Sequence, residues 1–321
     1  MENVRIIGCG HARAKHLVTN HDLEKVVDTS DEWIVQRTGI HNRYLSEDEN
    51  TSDLAYRASI KAIEDAGIDK KEIDLIVVAT MTPDNFTPSV ACVVQAKLGL
   101  NDCEIMAFDI NAACTGFIYA ISVASTMLKN YKCALVIGAE TLSKIVDYSD
   151  RNTCVLFGDG AGALLLKRSE NSCLETVCLS IGDLNKVLIA EGLPLKKALT
   201  NTDISPSYLT MDGKEVFRFA INAMQDAILK VSEKAELNIE DIDLVIPHQA
   251  NVRIINHVQK KLNLPDEKVY INLNEYGNTS AASVAIALSE AKQNCLVKEG
   301  MNLILTGFGA GFTYGAVYLK W

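Results

Sequence analysis

The sequence predicts an α/β fold built of two similar halves, and three observations lead there. Short apolar runs rich in Val, Ile and Leu alternate with longer amphipathic stretches, the order of strands joined by crossover helices. The runs are apolar almost throughout, as in strands buried on both faces of a sheet. Two strings of the first half recur, in the same order, in the second.

Taken along the chain, a helix is expected over Asp53–Gly67, with Thr51, Ser52 or Asp53 as its cap and Gly67 as its stop. Buried strands are expected at Glu72–Thr80, Glu104–Ile110, Ala134–Glu140 and Gly160–Lys167. The stretch Gly67–Val78 (GIDKKEIDLIVV) finds its partner in Leu237–Ile246 (LNIEDIDLVI). Each is preceded by an amphipathic helix and followed by a second helix ending at Leu98–Leu100 or Leu262–Leu264. Phe157–Lys167 (FGDGAGALLLK) likewise echoes Phe308–Lys320 (FGAGFTYGAVYLK), so duplication is the reading adopted. The halves are placed at residues 1–170 and 171–321, packed around a shared interface, with Phe157 to Met211 holding the junction. Ligand sites favour such interfaces.

Composition narrows the function classes. With 321 residues, 48% hydrophobic and 22% charged, the chain supports one large core or two ordinary ones. No apolar run approaches the roughly 20 residues that span a bilayer. The start MENVRIIGCGHARAKH lacks a long apolar segment with a small-residue cleavage site, so a cytoplasmic protein without a membrane partner is expected. Nine cysteines, scattered and without a C-x-x-C pair, read as reduced thiols and speak against zinc. A net charge of −10 argues against general nucleic-acid binding, leaving room only for a local basic patch.

Three motifs carry chemistry. Cys114, in DINAACTGF, follows an expected strand and heads an amphipathic stretch, so its sulfur would lie near a helix N-terminus, where dipole and free amides favour thiolate. Ala112, Ala113 and Gly116 permit a tight turn there; the bland alternative is a small buried hydrophobe, the reading given to the other eight cysteines. His248, in HQAN, emerges where the run IDLVIP ends, whereas four other histidines fall in polar N-terminal segments and His257 within a helix. Its plain alternative is a capping residue. Asn278, in YGNTSAAS, precedes a helix rich in Ala and Ser and would otherwise be an ordinary cap or turn residue. A thiol, an imidazole and a carboxamide in one chain suit carbon–carbon bond formation on a thioester.

These residues resemble a known family. DINAACTGF, FGDGAGA, HQANVRII, YGNTSAAS, the terminal GFGAGFTYGA and DEWIVQRTGI (Asp31–Ile40) look like the β-ketoacyl-acyl-carrier-protein synthase III enzymes, over essentially the full length. The resemblance implies the thiolase fold, two similar halves in a five-layered αβαβα arrangement, and a cytoplasmic homodimer. It implies that Cys114 takes an acyl group from acyl-CoA, and that His248 and Asn278 assist decarboxylation of malonyl on acyl carrier protein. The backbone amides of Cys114 and Ala310 would form the oxyanion hole. No cofactor is implied, since acyl-CoA is a substrate and the thioesters carry the activation. Trp33 and Arg151 resemble residues that sandwich the coenzyme A adenine, with Arg37, Thr38 and Asn251 nearby. Carrier-protein contacts fall on Gln249, Ala250, Asn251, Val252 and Arg253, with Lys260 and Lys261 on the same helical stripe and Arg218 on the preceding helix. The segment Thr82–Ser89 resembles one that crosses the family's dimer interface, but carries Thr87 where a bulky apolar residue is common, which leaves primer size open.

Rival readings fare unequally. For a dinucleotide-binding enzyme, Arg13 stands where G-x-G-x-x-G needs its third glycine after Gly8 and Gly10. A non-catalytic protein on this fold would be expected to lose the triad. A relative that primes alkylquinolone or polyketide synthesis would share Cys114, His248 and Asn278, and is the alternative kept.

Overall fold

The computed structural model describes residues 2–170, 172–193 and 208–321; part of the expected junction, 194–207, lies outside the described residues. The first sheet has five strands in the order Val4–Arg13, Gly160–Arg168, Cys133–Glu140, Leu75–Ala79 and Met106–Ile110. Its last three strands are parallel and the first two pairings antiparallel. The second sheet runs Leu244–Pro247, Asn302–Gly309, Thr313–Lys320 and Leu174–Ser180, with one parallel pair.

Between the sheets lie two helices, Gly116–Met127 and Ala282–Gln293, whose Phe117, Ile121, Val284 and Leu288 share one core with strand residues of both sheets. Thr51–Ala66 and Val90–Lys97 cover the outer face of the first sheet, and Gly213–Lys234 and Val252–Lys261 that of the second. The result is helix, sheet, helix pair, sheet, helix, the five-layered arrangement expected.

Small residues make the middle layer possible. A Cβ on Gly138 would stand 2.3 Å from the Ala281 carbonyl oxygen, and one on Gly162 2.4 Å from the Ala285 Cβ. The sheet therefore meets the Ala- and Ser-rich helix at backbone contact, which excludes any larger side chain at either point.

The repeated Ile-Asp pair has the same use twice. Ile73 and Ile242 are both fully buried. Asp74 accepts hydrogen bonds from the amides of Lys132 and Cys133, and Asp243 from the amide of Asn302, so each carboxylate tethers the start of a neighbouring strand.

Boundaries differ from expectation in places. Lys70–Glu72 is a single 3-10 turn and the strand begins only at Leu75; the Glu104 strand begins at Met106. The helix cap is Asn50 rather than Thr51, Ser52 or Asp53, because the Thr51 hydroxyl is spent inside on the Thr82 carbonyl. Asp53 serves one turn in, accepting from the Asn50 amide at 2.9 Å. His11, expected in a polar segment, lies on the Val4–Arg13 strand against Ser289.

Candidate active site

Cys114 sits in the 3-10 turn Ala113–Thr115, between the end of the Met106–Ile110 strand and the Gly116–Met127 helix. The turn is tight: Ala113 takes a left-handed φ of 46°, its amide donating to the Asn111 side chain at 3.0 Å. The hairpin after Asn302–Gly309 closes over it. A Cβ on Gly309 would lie 2.7 Å from the Cys114 backbone nitrogen, so only glycine lets this loop approach the sulfur-bearing residue. Thr115 donates to the Thr313 carbonyl at 3.1 Å and Thr313 to the Ala112 carbonyl at 2.9 Å, locking the two loops together.

Burial corrects one expectation about the thiol. Desolvation pushes the Cys114 thiol up to about 12, the nearby Glu140 charge adds to the rise, and the Ser280 hydroxyl offsets part of it. Burial thus works against the thiolate that a helix terminus would favour.

His248 leaves the Leu244–Pro247 strand with its amide donating to the Thr306 carbonyl at 2.8 Å. Its Nδ1 lies 2.7 Å from Ser283 Oγ, which also accepts from the Gln249 amide at 3.4 Å. With the Ser283 hydroxyl donating to Nδ1, the ring hydrogen stands on Nε2. Phe308 meets the imidazole edge-on, 5.2 Å between centroids. Burial alone draws the imidazole down to about 3, so the ring is neutral in the physiological range.

A stability signature follows. The unfolded imidazole binds a proton near its ordinary 6.5 and the folded one only near 3. The contribution of neutral His248 is thus present above pH 6.5 and lost as pH falls through that window. Thermal melts of the parent and of His248→Gln from pH 7 to 4 should show the parent losing stability more steeply; parallel curves would refute the assignment.

Asn278 is held by its backbone, donating to the Leu156 carbonyl at 2.8 Å and accepting from the Gly158 amide at 3.1 Å. Its Oδ1 accepts from the Ser280 amide at 2.9 Å, which leaves the Nδ2 hydrogens as the end it presents. Ser280, like Ala113, is left-handed, with φ 48°. Cys114, His248, Asn278, Phe308, Gly309 and Ala310 line one cavity of about 1260 Å³, and Trp33, Arg37, Thr38 and Asn251 line it too.

The guanidinium groups of Arg37 and Arg151 lie 4.9 and 5.1 Å from the Trp33 ring centroid. Arg151 also donates to the Asp28 carbonyl at 2.9 Å. Thr38 is buried, its hydroxyl donating to the Ile34 carbonyl, and Asn251 caps the Val252–Lys261 helix while donating to the Arg37 carbonyl at 3.0 Å. Arg253, Lys260 and Lys261 are exposed along that helix, and exposed Arg218 pairs with Glu215 at 3.0 Å. Ala250 lines the cavity and Val252 packs against Gly39. Gln249 does not belong with the surface residues. It is buried, its amide nitrogen donating to the Pro247 and Tyr270 carbonyls and its oxygen accepting from the Asn272 and Leu273 amides, so nothing remains for a protein partner.

Sequence reasoning passed over Ser280, Ser283 and Glu140. The two serines stand in the YGNTSAAS string, and the signal for Glu140 was a carboxylate ending an otherwise apolar strand. Among the described residues, no group of three His, Cys, Asp or Glu is placed to hold a metal ion, no helix is long and apolar enough to cross a membrane, and all nine cysteines are unpaired.

Residues 108–182 match the family described as 3-Oxoacyl-[acyl-carrier-protein (ACP)] synthase III, and residues 232–321 match its C-terminal region. A beta-ketoacyl-[acyl-carrier-protein] synthase III of Clostridium perfringens is 51% identical, with all of both chains covered. The chain belongs to the β-ketoacyl-[acyl-carrier-protein] synthase III family. Within it, the crystal structure of the Aquifex aeolicus 3-oxoacyl-[acyl-carrier-protein] synthase III superposes with a TM-score of 0.92 at 46% identity, covering 99% of this chain and 100% of that one. The priming β-ketosynthase of the R1128 polyketide pathway superposes at 0.91 with 34% identity, covering 99% and 96%. The fold is accordingly the thiolase-type fold of these condensing enzymes, and the chain is an acyltransferase of fatty acid biosynthesis.

Proposed function

We propose that the protein joins a short acyl group from acyl-CoA to malonyl-acyl carrier protein, giving a 3-oxoacyl-acyl carrier protein, CoA and carbon dioxide. One observation carries the reading: the buried thiol of Cys114 shares a cavity with an imidazole and a carboxamide whose engaged ends are Nδ1 and Oδ1, leaving Nε2 and Nδ2 for a substrate oxygen. Cys114 attacks the acyl thioester. The amides of Cys114 and Ala310 stabilise the tetrahedral oxyanion, a role that fits the contact of Gly309 with the Cys114 nitrogen. Malonyl then enters and loses carbon dioxide. His248 Nε2–H and Asn278 Nδ2–H donate to the thioester oxygen as enolate charge develops, and because that charge peaks in the transition state, the bonds accelerate the step. A neutral imidazole suits this work. The enolate carbon finally attacks the acyl-Cys114 carbonyl. Two halves, 1–170 bearing the thiol and 171–321 bearing the two donors, would meet at the cavity.

Trp33 with Arg37 and Arg151 forms the adenine platform of this reading, Thr38 and Asn251 shape the wall beside it, and the reaction calls on no cofactor. A cytoplasmic homodimer is proposed with it. Phe86, 85% exposed, precedes Thr87, the position whose small side chain leaves primer size open.

The carrier protein docks on Arg253, Lys260, Lys261 and Arg218, beside Ala250, Asn251 and Val252 at the cavity edge. On a chain of net charge −10 this local attraction must outweigh a repulsive global field, and exposed charges are screened beyond about 8 Å at physiological salt. Arg253→Glu should weaken turnover with malonyl-carrier protein, and added salt should do the same to the parent, while self-acylation from acyl-CoA changes much less. Equal loss with both substrates would make the stripe a coenzyme A or structural feature. Formation of 3-oxoacyl-carrier protein from acetyl-CoA and malonyl-carrier protein, read by mass spectrometry, tests the whole proposal. Efficient use of malonyl-CoA with indifference to the carrier protein would favour a role in priming secondary metabolism.

A further inference from the structure

The two proposed enolate donors belong to separate segments, and their separation has to be held closely for both hydrogens to meet one oxygen. His248 follows the Leu244–Pro247 strand, and Asn278 follows the four-residue helix Leu273–Tyr276 and Gly277. A helix of one turn leaves its first amides without intrahelical partners and does not hold itself. Asn272, at its N-cap, supplies no capping bond; its side chain donates instead to Glu290 at 2.6 Å. The segment that presents Asn278 therefore takes its support from elsewhere.

Gln249 supplies it. Its Oε1 accepts from the Asn272 and Leu273 amides at 3.0 and 3.2 Å, while its Nε2 donates to the Pro247 and Tyr270 carbonyls at 2.8 and 3.1 Å. Both hydrogens and both lone pairs of one buried carboxamide are thereby used. The residue before His248 is tied to the start of the helix before Asn278. From there the path is short: the Gly277 amide donates to the Leu273 carbonyl at 2.9 Å, and Gly277, with φ 64°, turns the chain into Asn278. Leu156 and Gly158 hold the Asn278 backbone from the opposite side.

We propose that Gln249 is a positioning residue, a helix cap supplied from the strand exit at His248, which fixes the Asn278 amide against His248 Nε2 so that both reach the thioester oxygen. The inference rests on the proposed decarboxylation. On this reading Gln249 serves that step and not the docking of carrier protein. Only a carboxamide of this length suits the place, since two carbonyls need donors and two amides need an acceptor. Gln249→Glu sets a charge against the Pro247 and Tyr270 carbonyls, and Gln249→Met leaves all four backbone groups without their partner. Both substitutions keep the Gln249 amide and its bond to Ser283, the partner of His248 Nδ1.

Malonyl-carrier-protein decarboxylation and acetylation of Cys114 from acetyl-CoA, measured in both variants, test the cap. Each should lower kcat for decarboxylation by about 100-fold, the scale for a reacting group displaced by about 1 Å. KM for malonyl-carrier protein, its salt dependence and the rate of acetylation should stay at the parent values. In an Asn278→Ala background, where no second donor is left to place, adding either substitution should lower decarboxylation by less than about tenfold more. A raised KM with kcat intact makes Gln249 a docking residue and overturns the proposal. Parallel loss of acetylation and decarboxylation, or an undiminished further loss on top of Asn278→Ala, marks a merely structural residue and overturns it equally. If Gln249→Met does not fold, Gln249→Glu, which keeps an acceptor for the Asn272 and Leu273 amides, decides alone. A parent that does not decarboxylate malonyl-carrier protein overturns the proposed function instead.

Discussion

Cys114→Ala is expected to abolish acylation altogether. Nine cysteines are present and Cys92 and Cys295 are the exposed ones, so incidental chemistry would mark those two first. Peptide mapping after exposure of the parent to acetyl-CoA should instead find one modified thiol, at buried Cys114, where the cavity delivers the thioester and the loop amides stabilise its oxyanion. Because His248 and Asn278 remain in place, Cys114→Ala should still decarboxylate malonyl-carrier protein. Acylation that survived in this variant would remove Cys114 from the mechanism.

His248→Ala and Asn278→Ala should divide the reaction in the opposite sense. Each deletes one donor to the enolate oxygen, which lowers malonyl decarboxylation by about 100-fold or more, the scale for a lost oxyanion donor. Transfer of the acyl group to Cys114 should continue, since its oxyanion relies on backbone amides. Radiolabelled carbon dioxide release and intact-mass acylation, measured side by side, separate the two steps. Intact decarboxylation together with lost acylation would require the roles to be exchanged.

The parts of this molecule that were legible in its sequence are those governed by local pattern. Leu75–Ala79 and Cys133–Glu140 are apolar throughout because both faces are covered, and such runs announce themselves. The turn at Cys114 was readable from Ala112, Ala113 and Gly116, and the repeated Ile-Asp string from its spacing. What escaped depends on partners distant in the chain. Glu140 meets Ser280 across 140 positions and His248 meets Ser283 across 35, distances at which periodicity says nothing. Gln249 was misplaced because it sits between His248 and Asn251; after a strand exit, no repeat tells which way a side chain turns, and this one turns inward to four backbone groups. The burial that opposes thiolate at Cys114 escaped for a related reason. A helix start is visible in a sequence, whereas the depth of the groups around it is set by the other half of the molecule.

Ala113 and Ser280, which line the same cavity as Cys114, occupy backbone conformations that glycine would adopt without strain. A methyl and a hydroxymethyl group there also narrow what the loops are able to do, and glycine would surrender that restraint. The protein in effect carries two compressed springs beside its nucleophile and accepts a smaller thermal margin for a site already assembled when substrate arrives. Engineering for heat resistance at these two positions would therefore work against turnover, and stabilising changes belong in the outer helical layers instead.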